Sequence, residues 1–271
     1  MRLLIIIQIN MLWLTDLHID FKTKDALNDF FKKISLVKSD GICITGDIGE
    51  KGKSISFIQK LSKTTKLPVY FVLGNHDFYG FKIEELQAKV HHTFINTSDI
   101  FYLNSHHYLP LSSKTAIIGI DNWYDLSQGD FFSSTVKPND FQEIPTFSAL
   151  NKEKIFSFMQ ELSCKLIDDL SKKLISAFAN FSNVILLTHV PPFKEVCLYN
   201  NKAADDNWAP FFAHGHLGDF LKTFMSKNLD KYLTVLSGHT HHTAIYQPAL
   251  NLNIKVGGCP DDSLDWEIVS L

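Results

Sequence analysis

Five apolar runs in this chain each stop at a cluster of side chains able to bind a cation, and no other feature restricts the fold as strongly. Leu12 to Thr15 runs into Asp16-Leu17-His18, Gly41 to Thr45 into Gly46-Asp47-Ile48-Gly49-Glu50, and Pro68 to Leu73 into Gly74-Asn75-His76-Asp77. Further on, Val184 to Thr188 meets His189-Val190-Pro191-Pro192, and Tyr232 to Ser237 meets Gly238-His239-Thr240-His241. Open α/β sheets place their ligands at the carboxyl ends of their strands, so these clusters are expected to converge. With the two-residue alternation of a strand, Asp16 and His18 project to one side, and so do His239 and His241, each pair suited to one divalent ion. Glycines flanking Asp47 let the backbone turn tightly beneath that carboxylate. An asparagine oxygen at 75 can ligate a metal, and the imidazole of His76 can transfer protons. Any one of these histidines alone reads more readily as a buried structural residue. Five ligand-rich clusters at five strand ends carry the metal reading.

The rest of the chain supports a layered α/β fold. Strands are expected at Leu12 to Thr15, Gly41 to Thr45 and Pro68 to Leu73, separated by helices at Lys24 to Val37 and Lys53 to Lys63. The first of these helices turns Ala26, Leu27, Phe30, Phe31 and Ile34 to one face. After a helix from Ile83 to Val90, the closely spaced runs Ile100 to Leu103, Tyr108 to Leu111 and Thr115 to Ile120 suggest antiparallel strands of a mixed sheet. Asp125 to Pro145 reads as an irregular surface loop, Ser148 to Ala179 as one long helix or two, and Pro191 to Gly215 as an ordered loop over a site. Short strands at Thr243 to Tyr246, Ile254 to Val256 and Trp266 to Val269 close the chain. No repeat or flexible linker interrupts it, so residues 1–271 are expected to form one domain.

Composition removes several function classes. A net charge of −3, from 26 Lys+Arg against 29 Asp+Glu, gives no general attraction to nucleic acid or to an anionic membrane. No apolar stretch approaches the ~20 residues that span a bilayer. Cys43, Cys164, Cys197 and Cys259 form no C-x-x-C pair and read as reduced thiols of a cytoplasmic protein. The chain holds 12 histidines but only one arginine, Arg2, so a phosphoester would have to be gripped by metal ions, lysines and imidazoles. His91, His92, His106 and His107 read as surface residues.

The ordered set D-x-H, G-D, G-N-H-D, H and G-H-x-H, running from Asp16 to His241, closely resembles the calcineurin-like metallophosphoesterase superfamily. The resemblance implies a four-layer α-β-β-α sandwich with mixed sheets flanked by helices and two divalent ions at the strand ends. It implies that Asp16, His18, Asp47 and His241 hold one ion and that Asp47, Asn75, His189 and His239 hold the other, Asp47 bridging. The donor set accepts Mn, Fe, Co, Ni or Zn. Two such ions lower the pKa of a bridging water and neutralise phosphoryl oxygens for in-line attack by hydroxide. His76 would donate a hydrogen bond to the phosphate or a proton to the leaving oxygen. Glu50, three residues after Asp47, is a candidate partner for that imidazole or a solvated turn carboxylate. Its offset carries an aspartate in the protein phosphatase branch and a metal-bound tyrosine in purple acid phosphatases, which argues against the purple class.

Substrate is less determined. Protein phosphatases of this family carry an arginine before G-N-H-D, where this chain has Leu73, and nucleases need a basic track. A small phosphomonoester or phosphodiester is therefore expected, a nucleotide among the candidates. Trp123, Tyr124, Trp208, Phe211 and Phe212 either stack a base or belong to the core. His214 and His216, just before a helix expected near Leu217, are surplus to the ligand set. The alternatives are a nuclease or phosphoprotein phosphatase of the same fold, a silent scaffold, or a structural zinc protein. The last is disfavoured because the cysteines lie outside the clusters. Met1 to Asn10 reads as an extension before Met11, although Leu3 to Ile7 is apolar enough to be buried.

Overall fold

The computed structural model describes residues 9–199, 202–259 and 264–270. In chain order the elements are β1 (Asn10–Leu14), α1 (Lys24–Ile34), β2 (Gly41–Thr45), α2 (Lys53–Thr65), β3 (Val69–Val72), α3 (Ile83–Phe94) and β4 (Ile100–Tyr102). There follow β5 (Leu109–Pro110), β6 (Thr115–Gly119), α4 (Asp140–Glu143), α5 (Lys152–Asn180), β7 (Asn183–Leu187), β8 (Leu198–Tyr199) and β9 (Lys202–Ala203). The chain continues through α6 (Gly215–Ser226), β10 (Tyr232–Ser237), β11 (Ala244–Ala249), β12 (Leu252–Val256) and β13 (Glu267–Ser270). One sheet has the order β13-β1-β2-β3-β4 and the other β11-β12-β10-β7-β6-β5, while β8 and β9 form a separate ladder. β1 to β4 run parallel, with β13 antiparallel at the edge. In the second sheet β12, β10, β7 and β6 are parallel, flanked by antiparallel β11 and β5.

Strand alternation builds the four layers. Leu12 and Leu14 of β1, Ile42 and Ile44 of β2, and Val69 and Phe71 of β3 face α1, α2 and α3 in one apolar cluster. Their alternates Met11, Trp13, Cys43 and Val72 meet Ile117, Ile185, Leu187 and Leu236 of the second sheet. The remaining alternates, Ala116, Ile118, Val184, Leu186, Leu233 and Val235, face α5 and α6. Strands buried on both faces must be apolar at nearly every position, which is why β2 and β6 read as continuous apolar runs. Helix starts follow local chemistry: Thr23 caps α1 by accepting from Ala26 N at 3.2 Å, and Asn151 caps α5 by accepting from Lys154 N at 3.0 Å.

Three expectations change. The runs at 100–120 are not a set of antiparallel strands: β4 pairs in parallel with β3, and β6 in parallel with β7. The chain crosses from one sheet to the other between them, so short spacing there marks a change of sheet, and only the β5–β6 pair is antiparallel. The loop at 125–145 carries α4, and of the two readings for 148–179 the single helix holds, running Lys152–Asn180 over 29 residues. At the N-terminus Ile9 is buried between the sheets and Asn10 pairs with Ser270, so these two residues belong to the fold. Leu3 to Ile7 lie outside the described residues. No described helix is long and apolar enough to cross a membrane.

Candidate metal centre

Because β1, β2 and β3 of one sheet and β7 and β10 of the other all point their carboxyl ends the same way, the five clusters meet at one end of the sandwich. The pairs do not converge by strand alternation as expected, since β1 stops at Leu14 and β10 at Ser237. Instead Asp16, His18, Asp47, His239 and His241 adopt left-handed backbone conformations, with φ of 51°, 41°, 51°, 72° and 58°. Each costs a non-glycine residue of order 1 kcal/mol or more and survives only where its surroundings fix it. Here Asp16 N donates to Gly46 O at 3.1 Å, His18 N to Asp47 O at 3.0 Å, and His239 N to Asp16 Oδ1 at 2.9 Å. Gly74 is demanded by contact: a Cβ there would lie 2.3 Å from Asp47 Oδ1.

The side chains gather into two groups, Asp16 with His18 and His241, and Asp47 with His189 and His239, their donor atoms within 4.8 Å of one another in each. Asp47 lies between the groups, Oδ1 being 3.3 Å from His189 Nε2 and Oδ2 3.7 Å from His18 Nε2. Asn75 Oδ1 is 3.0 Å from His189 Nε2. In the first group His241 Nε2 is 3.6 Å from Asp16 Oδ1 and 3.2 Å from His18 Nε2.

Backbone carbonyls set the tautomers. His189 Nδ1 lies 2.8 Å from Thr45 O and His239 Nε2 lies 2.8 Å from Phe211 O, and a carbonyl can only accept. Each ring therefore donates outward, which turns His189 Nε2 and His239 Nδ1 toward each other at 3.2 Å. Electrostatics separate the two. Burial opposes protonation of His189, but the Asp47 carboxylate outweighs it and lifts the imidazole to about 9. Burial and then the neighbouring His189 push His239 down to about 4. Burial works against ionisation of Asp47 too, yet His189 and His76 hold its carboxyl well below the usual range. With His189 deprotonated at Nε2, nitrogen and oxygen lone pairs converge, oriented by outward donation, which is the arrangement a divalent cation requires, so these residues fit the expected ions.

His76 stands beside these two groups. Its amide donates to Asp47 Oδ1 at 2.9 Å, its ring centroid lies 4.7 Å from that of His18, and its ring is also near enough to His18 and Asp47 to share a cation with them. Glu50 Oε1 approaches His76 Nδ1 to 3.5 Å, an ion-pair contact rather than an aligned hydrogen bond. Against the pull of burial, Asp47, Asp140 and Glu50 raise the His76 pKa. Glu50 is itself placed by its amide, which donates to Asp20 Oδ2 at 2.6 Å.

Three buried residues outside the expected set support these side chains: Asp77, the last residue of the G-N-H-D cluster, and Asn122 and Asp140, which no motif marks. Asn122 accepts from the amides of His189 and Val190 at 2.7 and 2.8 Å. Asp77 accepts from Ile48, Gly49 and Gly74 amides, stitching the Asp47 turn to the Asn75 turn, and burial beside Asp47 pushes its pKa up to about 7. Asp140, on α4, accepts from Asn75 Nδ2 at 3.0 Å. No spacing marks Asn122 or Asp140, because their partners lie 67 and 65 residues away.

The aromatic candidates divide. Trp123, Tyr124 and Phe211 are core, whereas Trp208 is 47% exposed and stacks on Phe212 at 5.7 Å, whose ring in turn meets His239 at 5.8 Å. His214 is buried, 2.8 Å from Ser163 Oγ, and immediately precedes α6, which begins at Gly215 rather than near Leu217. Asp125 caps α6 by accepting from the amides of Gly215 and His216, and pairs with the His216 ring at 3.2 Å.

A four-layer sandwich with candidate metal-ligating side chains gathered at its strand ends is the architecture of the metallophosphoesterase class. Residues 9–243 match the family profile of calcineurin-like phosphoesterases, and the chain belongs to that family. It is 26% identical over 171 residues to the human manganese-dependent ADP-ribose/CDP-alcohol diphosphatase, a match covering 54% of this chain and 49% of that protein. The chain thus spans about half the length of this curated relative. In fold it is similar to a phosphopantetheinyl hydrolase of Mycobacterium tuberculosis, with a TM-score of 0.64, 11% identity, and coverage of 96% and 95% of the two chains.

Proposed function

We propose that this chain is a metal-dependent phosphoester hydrolase in which Asp16, His18, Asp47 and His241 hold one divalent ion and Asp47, Asn75, His189 and His239 hold another. The observation that carries this reading is the Asp47 carboxylate, whose two oxygens face different imidazoles at 3.3 and 3.7 Å. When bound, such ions neutralise phosphoryl oxygens and acidify water, work for which the described residues offer no arginine fork. His76, its imidazolium favoured by Asp47, Asp140 and Glu50, donates to a phosphoryl oxygen or gives its proton to the leaving oxygen. The Glu50 carboxylate, 3.5 Å away, orients that ring.

The substrate we favour is a small phosphoester carrying a planar group, a nucleotide or nucleoside-diphosphate ester. Trp208 and Phe212, stacked with an interplanar angle of 13° beside His239, offer a platform for a base. The human relative's name, an ADP-ribose/CDP-alcohol diphosphatase, lies in the same chemical class. The buried thiols of Cys43 and Cys197 suit a reducing compartment such as the cytoplasm.

Assays with added manganese on bis-p-nitrophenyl phosphate, p-nitrophenyl phosphate and a panel of nucleotides and nucleoside-diphosphate esters test both levels. Hydrolysis abolished by chelator is expected, and Trp208→Ala should raise KM for nucleotides but leave the p-nitrophenyl esters unaffected. A chain holding two ions yet hydrolysing none of these would overturn the reading. Equal losses on all substrates for Trp208→Ala would remove the base platform.

A further inference from the structure

Asp140 belongs to neither ligand group, yet its carboxylate is bonded to the centre from two sides. Asn75 Nδ2 and the Tyr79 hydroxyl both donate to its Oδ1, at 3.0 and 2.7 Å, while the Tyr124 hydroxyl donates to Oδ2 at 2.6 Å. The residue is 3% exposed, and burying a carboxylate costs free energy unless donors satisfy it. What these donors do for the site follows from the symmetry of an amide. Asn75 can present either its oxygen or its NH2 to the centre, and the two orientations are nearly the same shape. A carboxylate only accepts, so Asp140 draws Nδ2 toward itself and leaves Oδ1 facing His189 Nε2 at 3.0 Å. Turning the amide over would set oxygen against oxygen at Asp140 and a donor against the centre. The same Oδ1 anchors Tyr79, whose ring lies 4.5 Å from that of His76 at an angle of 30°. α4 is itself fixed to this turn, Gly80 N donating to Glu143 O at 2.9 Å.

We propose that Asp140 is a positioning residue of the metal centre: its Oδ1 fixes Asn75 with the oxygen inward and holds Tyr79 against His76. This rests on the ligand set proposed above. The test is manganese binding, by calorimetry and electron paramagnetic resonance, to the full chain and to Asp140→Ala, Asp140→Asn and Tyr124→Phe, each checked by circular dichroism and melting. Asp140→Ala should bind the second ion 10- to 100-fold more weakly, the usual effect of losing a group that orients a ligand. Asp140→Asn should restore affinity to within about threefold, because its oxygen still accepts from Asn75 and Tyr79 while its amide faces Tyr124. Tyr124→Phe, which removes a bond of the same kind from the other oxygen, should lower the melting temperature but keep both ions. If the alanine variant does not fold, Asp140→Glu, which retains the charge and displaces the oxygens by one methylene, should show the same weakening. A folded Asp140→Ala or Asp140→Glu protein with two ions at wild-type affinity would overturn the assignment, as would a Tyr124→Phe protein that lost an ion. Failure of the wild-type chain to take up manganese would overturn the ligand set together with it. Two bound ions without phosphoester hydrolysis would overturn the proposed activity alone, and the variants would still decide Asp140.

Discussion

Asp47 shows how much one residue can be asked to do. Its left-handed φ of 51° is tolerated at a turn braced by Gly46, Gly74 and the Asp77 carboxylate, and the strain delivers each oxygen to a different imidazole. Asp47→Asn should therefore drop metal content after dialysis from two ions per chain to one or none. Retention of both would contradict the shared-carboxylate reading. Asp121 shows the opposite case, a carboxyl with donors and no expected cation. Burial pushes it up to about 6 although Leu73 N, Gln87 Nε2 and the Tyr102 hydroxyl donate to it. A folded-state pKa above the unfolded value means the folded chain holds this proton longer. The stability it contributes is present below about pH 4 and is lost as pH rises through 6. Asp121→Asn should gain on the wild type between pH 4 and pH 7 by up to about 3 kcal/mol, beyond any pH-independent cost of the amide. Urea unfolding at both pH values measures this, and parallel stability curves would disprove it.

Among the elements α5 has the widest reach. Ile155 and Met159 pack in the cluster beside α1, α2 and α3, and Leu166, Leu170 and Leu174 pack against the second sheet. Between the layers Lys173 is buried, its ammonium donating to the carbonyls of Leu103, Asn104 and Gly119. Those carbonyls belong to the segments on either side of the crossing from one sheet to the other, so the lysine ties the two segments together. Lys173→Met keeps the apolar stem but leaves the carbonyls without a donor. It should destabilise the protein by ~2 kcal/mol or more, read from denaturant midpoints. A change below ~0.5 kcal/mol would mean that water replaces the ammonium freely.

At the scale of the whole molecule, the three apolar clusters share strands: β1, β2 and β3 contribute to two of them, as do β6, β7 and β10. Neither sheet can lose its packing without exposing the other, so one cooperative unfolding transition is expected. The metal centre sits where both sheets end, and cation binding should stabilise the assembled sandwich over the unfolded chain. A hundredfold excess of manganese over Kd adds about 2.7 kcal/mol for each site, raising the melting temperature by several degrees, while chelator should reverse the gain. Identical melting with saturating manganese and with chelator would be incompatible with a centre that bridges the sheets.

Local chemistry made the main strands, the helical character of 148–179 and the ligand types legible: apolar runs, turn glycines and the D-x-H and G-H-x-H clusters are written in neighbouring residues. By itself the sequence determined which side chains stand at strand ends, and hence the family. Tertiary structure decided what distance along the chain hides. It placed β4 and β6 in different sheets, sent Trp123, Tyr124 and Phe211 into the core while leaving Trp208 at the surface, and turned the ligand pairs inward through left-handed backbone rather than strand alternation. Asn122 and Asp140 orient His189 and Asn75 from 67 and 65 residues away. Hydrogen-bond partners so remote are chosen by how two sheets pack, a property of the assembled layers that no local pattern of residues records.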